Sequence, residues 1–170
     1  MMKLSRYWLL SLVCLSTLFS GCAHYHWGTG NKSPYHTIAF APVVNHCYAP
    51  QMQSLVSDAL FQSFAHGGGM AVESQQGNAE VVLHVTLTDF KKLMGATSKL
   101  DTGTARSLVM VLCARAELVD PSGKPVSAGD FEVRQEFYAD SGMERAEAEA
   151  LPQLAQLMAE KIHRAVVSNW

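Results

Sequence analysis

The sequence predicts an α+β fold: a two-layer sandwich in which a four-stranded, mostly antiparallel sheet carries two helices on one face. Three observations predict it. Residues 79–138 hold three stretches in which apolar side chains recur at every second position. Two other stretches, 50–65 and 141–168, repeat apolar side chains at the i, i+3, i+4, i+7 spacing of a helix. The resulting order is strand, helix, strand, strand, strand, helix, which closes most simply as a sheet covered on one side (β-α-β-β-β-α).

The elements justify themselves in order. Thr37 to Asn45 reads as a first strand, with Ile38 and Phe40 alternating with Ala39 and Ala41; Pro42 cannot donate to a ladder and suggests an edge or strand end. Pro50 to Ala65 reads as a helix whose buried stripe is Met52, Leu55, Val56, Ala59, Leu60, Ser63 and Phe64, with Pro50 in its first turn. Gly67, Gly68 and Gly69 stop it by accepting the positive φ of a C-cap. A phosphate loop is the wrong reading of those glycines, because they follow a helix and no Gly-Lys-Ser/Thr accompanies them. Met70 to Glu73 reads as a short strand or irregular chain. Ala79 to Phe90 is a strand with Val81, Leu83, Val85 and Leu87 on one side and Val82, His84, Thr86 and Thr88 on the other.

Residues 91–103 are polar and read as a long loop or frayed hairpin. Thr104 to Val119 is a long strand whose core face is Leu108, Met110, Leu112, Ala114, Ala116 and Leu118. Its opposite face is apolar along half its length through Val109, Val111 and Cys113, so it is expected to be covered or to meet a partner. Asp120-Pro121-Ser122-Gly123-Lys124 has the composition of a tight hairpin turn. Val126 to Tyr138 returns with Phe131, Val133 and Phe137 inward and Glu132, Arg134 and Glu136 outward, where Arg115 and Glu117 are placed to pair across the ladder. Ser141-Gly142-Met143-Glu144 has a capping-box pattern and opens a helix to about Ser168. Pro152 inside it is expected to kink the helix or split off its first two turns.

The N-terminus has a different character. Lys3 and Arg6 precede an apolar run from Tyr7 to Phe19, 13 residues long, followed by Ser20-Gly21-Cys22. That run is too short to span a hydrocarbon core of roughly 30 Å as a helix but suits a signal peptide. Leu18-Phe19-Ser20-Gly21-Cys22 resembles a bacterial lipobox, with Phe19 where Leu is usual. The resemblance implies a signal peptide over 1–21, cleavage after Gly21, a diacylglyceryl thioether on Cys22 and an acylated Cys22 amine. Residues 22–36 are then a lipid anchor and tether, rich in Gly, Asn, Ser and Pro, and 37–170 a single domain. Tyr25 and Trp27 suit a headgroup layer.

Charge excludes some functions. With Lys3 and Arg6 removed, eleven basic side chains face fifteen acidic ones, a net charge of −4, which is not that of a nucleic-acid-binding protein. Residues 84–108 are locally basic through Lys91, Lys92, Lys99 and Arg106, whereas residues 117–149 hold nine acidic and three basic side chains. The basic group is either a solvated loop and strand end or a contact for anionic lipid or acidic partner groups. Cys47 and Cys113 remain after processing and either pair or stay as separate thiols. None of the seven histidines has metal-ligand spacing, no Gly-x-Ser-x-Gly elbow is present, and Cys113 lies in mid-strand where nothing lowers its pKa. No catalytic residue, metal or cofactor is expected, apart from the covalent lipid on Cys22.

Several segments together resemble a known family. Gly21-Cys22 and Tyr25-His26-Trp27-Gly28 lead into Ile38-Ala39-Phe40-Ala41-Pro42-Val43-Val44-Asn45. An amphipathic helix follows, then Asn78-Ala79-Glu80-Val81-Val82-Leu83, Asp101-Thr102-Gly103 before a long strand, Asp120-Pro121-Ser122-Gly123, and an Ala/Glu-rich helix. In this order they look like a diverged member of the LPS-assembly lipoprotein family LptE. The resemblance implies an outer-membrane lipoprotein that plugs the β-barrel LptD and helps insert lipopolysaccharide into the outer leaflet. It also implies lipopolysaccharide or partner contacts through basic side chains, with Lys91, Lys92, Lys99 and Arg106 in the corresponding region and Val109, Val111 and Cys113 facing the barrel. Ala23 after the cysteine fits outer-membrane sorting, on the periplasmic side. The competing expectation is another periplasm-facing lipoprotein module, such as a cell-wall synthase activator or a lipid-transport accessory subunit; an enzyme would need a convergent polar pocket.

Overall fold

The first predicted strand is two. The computed structural model describes residues 33–94, 107–138 and 143–168, all within the unit 31–170. β1 (Thr37–Phe40) and β2 (Val44–Asn45) flank Pro42, whose missing N–H interrupts the ladder between them. Both pair in parallel with β4 (Val81–Met94), Ile38 beside Val81 and Val44 beside Thr86. β3 (Ala71–Val72) adds a short parallel strand outside β1, so the Met70–Glu73 segment is a strand. β4, β5 (Ser107–Val119) and β6 (Pro125–Tyr138) form an antiparallel meander, giving the order β3-β1-β4-β5-β6 with β2 also on β4. The sheet is therefore larger than four strands, but its antiparallel body and covered face are as expected.

Parallel pairing of β1 with β4 requires a crossover, and α1 (Met52–Gly67) supplies it. Its stripe of Met52, Val56, Leu60 and Phe64 is buried. Pro50 lies before the helix, in a turn where its carbonyl and that of Ala49 accept from Gln53 and Met52. Gly68 and Gly69 take φ of 71° and 92°, the left-handed exit expected of a glycine stop. α2 (Met143–Val167) buries Leu151, Leu154, Ala155, Met158, Ile162 and Val166. It is not split at Pro152: the chain is helical on both sides of it. The proline is exposed, so the Ala148 carbonyl left without a donor faces water, while Ala150, Leu151, Leu154 and Ala155 stay packed around it. Ser141 of the predicted capping box lies outside the described residues.

The core lies between the helices and one sheet face, built from Ile38, Val81, Leu83, Val85, Leu87, Leu108, Met110, Leu112 and Leu118 against the helical stripes. Each fully buried Leu, Ile, Val or Met contributes roughly 1.5–3 kcal/mol relative to exposure. Asp120 organises the β5–β6 turn. Its Oδ1 accepts from the Ser122 amide at 2.9 Å, the Ser122 hydroxyl at 2.6 Å and the Lys124 amide at 2.9 Å, and Gly123 takes φ 84°. Those bonds, the Ser122 hydroxyl first, hold the Asp120 carboxyl below its usual range. No helix among the described residues is long and apolar enough to cross a membrane.

Candidate functional site

One feature of β4 decides which side chains reach the uncovered sheet face. Up to Leu87 its odd-numbered residues point into the core. The register with β5 then slips between Leu87 and Asp89, a bulge at Thr88 that reverses the sides. Lys91 and Lys92, expected in a loop, are thus strand residues on opposite faces. Lys92 turns to the helical side, where it forms a charge-assisted hydrogen bond with Glu147 of α2 and lies 5.9 Å from the Phe90 ring centroid. Lys91 turns outward and pairs with Asp89 at 2.6 Å. That bond is the main cause of a lowered Asp89 pKa and a raised Lys91 pKa.

The outer face is built in rows across β4, β5 and β6. Asp89, Cys113 and Glu132 form one row; Lys91, Val111 and Arg134 the next; Leu93, Val109 and Glu136 the third. Val109, Val111 and Cys113 therefore do lie together on the face opposite the helices, but their apolar seam is one strand wide. Val111 is only 7% exposed. Its register neighbours are Lys91 and Arg134, side chains with long aliphatic stems. Cys113 is partly buried, and burial first, then the charges of Glu132 and Asp89, push its thiol pKa up. Cys47 and Cys113 are both free thiols. Next along the face, Arg115 pairs with Glu117 at 2.9 Å and with Asp130 at 3.3 Å. The predicted ladder partner is thus Asp130 rather than a residue further along β6, and these carboxylates raise the Arg115 pKa, Glu117 first.

Of the predicted contact residues, Lys91 is on this face and Lys92 is not, while Lys99, Arg106 and Cys22 lie outside the described residues. Glu132 and Arg134 point outward beside Cys113 and Val111, as the alternation of β6 predicts, while Asp89 joins the face only because of the bulge.

A second concavity, about 620 Å³, lies between α1 and α2 and is lined by Leu55, Ala59, Ser63, Pro152, Gln156 and Glu160 among others. His163 is among its lining residues. The His163 ring meets Phe64 edge to face at 4.6 Å between centroids, and its Nε2 lies 3.2 Å from the Gly68 carbonyl oxygen. This histidine is a packing and capping element. Among the described residues no cluster of three or more His, Cys, Asp or Glu side chains is placed to hold a metal ion.

A family model described as LptE, lipopolysaccharide-assembly, matches residues 35–166. No curated protein matches the chain. Solved structures share the fold. One is a protein from Xanthomonas campestris, with TM-score 0.58 and 12% identity, covering 79% of this chain and 85% of that one. An uncharacterised lipoprotein B from Nitrosomonas europaea gives TM-score 0.54 and 14% identity over 84% and 88% of the two chains. A putative neuraminyllactose-binding hemagglutinin homologue from Helicobacter pylori gives 0.54 and 11% over 82% and 87%.

Proposed function

This chain belongs to the LptE lipopolysaccharide-assembly family, and from that premise we propose that it is an outer-membrane lipoprotein that seats in the LptD β-barrel and helps insert lipopolysaccharide into the outer leaflet. Family membership supports an envelope lipoprotein of LptE type and a non-enzymatic role. In this reading residues 1–21 are the signal peptide, Cys22 carries the lipid, residues 22–36 are the tether and residues 37–170 the domain. Acyl chains on Cys22 hold the body at the periplasmic side of the outer membrane, each buried CH₂ contributing about 0.8 kcal/mol.

The observation that carries the reading is the sheet face that no described element covers. Both helices cover one side, which leaves Val109, Val111 and Cys113 as an apolar seam between charged margins on the other. A body enclosed by a barrel needs such a seam, with charged groups that pair at its rim. Lys91 and Arg134 are the cations of this face that we assign to lipopolysaccharide or partner contact; Lys99 and Arg106, which lie outside the described residues, are assigned the same role. Lys92 is assigned a strut between β4 and α2. Depletion of the protein in its host tests the reading: surface lipopolysaccharide falls if it is right. Unchanged lipopolysaccharide with a weakened cell wall would instead support a cell-wall synthase activator.

A further inference from the structure

The charges of the outer sheet face are arranged so that the face complements itself. The row Asp89–Cys113–Glu132 is acidic and the adjacent row Lys91–Val111–Arg134 is basic. The Asp89–Lys91 pair is made within one strand, and among the described residues neither Glu132 nor Arg134 has a side-chain ion pair. A second copy turned by 180° about an axis running along the rows, midway between these two, stacks β4 on β4, β5 on β5 and β6 on β6 and exchanges the rows. Asp89 then stands over the second copy's Lys91, Glu132 over its Arg134 and Cys113 over its Val111. Further out, Val109 meets Arg115 and Leu93, 41% exposed, meets Thr86. Glu136 meets Asp130, whose charge Arg115 already engages at 3.3 Å.

We infer that two copies of this chain pair face to face through β4, β5 and β6 around the axis between Val111 and Cys113. A twofold mate sets each of the two acids and two bases in the adjacent rows against an opposite charge. An isologous contact needs this self-complementarity, and aligned stacking of two sheets is an ordinary way to bury apolar seams. The inference goes beyond the barrel-plug reading and does not depend on it. If both hold, the pair is the form that exists before a barrel takes the same face.

Native Cys113 makes the test direct. Stacked sheets stand about 10 Å apart and residues two apart on a strand about 6.8 Å, which puts the two Cys113 Cα atoms roughly 12 Å apart. That is beyond disulfide reach but within the span of a short bismaleimide. The experiment uses the full-length processed protein in detergent with Cys47→Ser, crosslinked through Cys113 over a concentration series, with circular dichroism as the fold check. A concentration-dependent crosslinked dimer is expected. Arg134→Glu should cut the crosslinked fraction by roughly five-fold or more, since symmetry places the reversed charge in two pairs. Glu132→Arg alone should do the same, and the exchange Glu132→Arg with Arg134→Glu should restore the dimer. A monomer at every concentration, or an exchange variant no better than the single reversals, overturns the inference. Either result leaves the barrel-plug reading to its own test, depletion.

Discussion

Gly67 is the place where one added carbon should be felt. It is the last residue of α1, and a Cβ built there would lie 2.5 Å from His163 Cε1 and 2.8 Å from His163 Nε2. Such separations are well inside contact distance, so the imidazole must move. It is not free to do so cheaply: Phe64 packs on the ring edge to face, and its Nε2 binds the Gly68 carbonyl at 3.2 Å. Helix propensity alone favours alanine over glycine by about 1 kcal/mol. Overpacking typically costs about 1–3 kcal/mol, and loss of the hydrogen bond about 1 kcal/mol more. The sum is a net loss of about 1–3 kcal/mol for Gly67→Ala, which lowers Tm by roughly 3–10 °C for a domain of this size. Thermal unfolding followed by circular dichroism reads this, with Gly77→Ala as a control because no atom lies within 4 Å of the added carbon there. A double-mutant cycle with His163→Ala sharpens it, since removing the ring removes the clash and the pair should be strongly non-additive. A Gly67→Ala protein as stable as the parent, or more so, or additive effects in the cycle, would refute the claim that His163 is held against the end of α1.

Glu80 accepts a hydrogen bond from the His36 backbone amide, which first among its contacts depresses its pKa below the ordinary 4.5. The stability this contributes is fully present above that ordinary value and is lost as pH falls through the depressed one, so Tm of wild type and Glu80→Gln should differ near neutrality and converge in acid; a gap that widens in acid would count against it. Lys92→Glu sets like charges against Glu147 and should lower stability by about 0.5–1 kcal/mol, whereas Lys91→Glu should shift chemical unfolding less, because its partner Asp89 is more exposed than Glu147. The raised Cys113 pKa predicts that, in a Cys47→Ser background, its alkylation rate rises with pH later than that of a free thiol reagent. A coincident or earlier rise would contradict the environment described for β5.

Much of the fold is legible from spacing, because a buried face imposes its period on the chain. The stripes of α1 and α2 and the core face of β5 were readable for that reason. What sequence reading missed has physical causes. β2 pairs over only two residues, too few for a periodic signal, and β3, equally short, could be read only as a strand or irregular chain. Pro152 breaks the usual helix rule because tertiary packing on both sides outweighs one lost hydrogen bond at an exposed position. The bulge in β4 mattered most for the site. Apolar residues at 81, 83, 85 and 87 are followed by Phe90 rather than by an apolar residue at 89. That step of three was the visible trace of a side reversal. The Lys91-Lys92 pair that follows has the composition of a polar loop and masks it. The role of Arg134 comes from lying across Val111 from Lys91, a relation that depends on strand register.

We propose that the face of β4, β5 and β6 that no described element covers seats this chain in an outer-membrane barrel. Affinity purification of the tagged protein from detergent-solubilised outer membranes tests it most directly, with Val111→Lys as the comparison. A large β-barrel of LptD type should accompany the wild-type chain in equal amount and be lost from the Val111→Lys chain, while that chain remains folded by circular dichroism. A wild-type chain that purifies without a barrel, or a barrel retained undiminished by folded Val111→Lys protein, would contradict it.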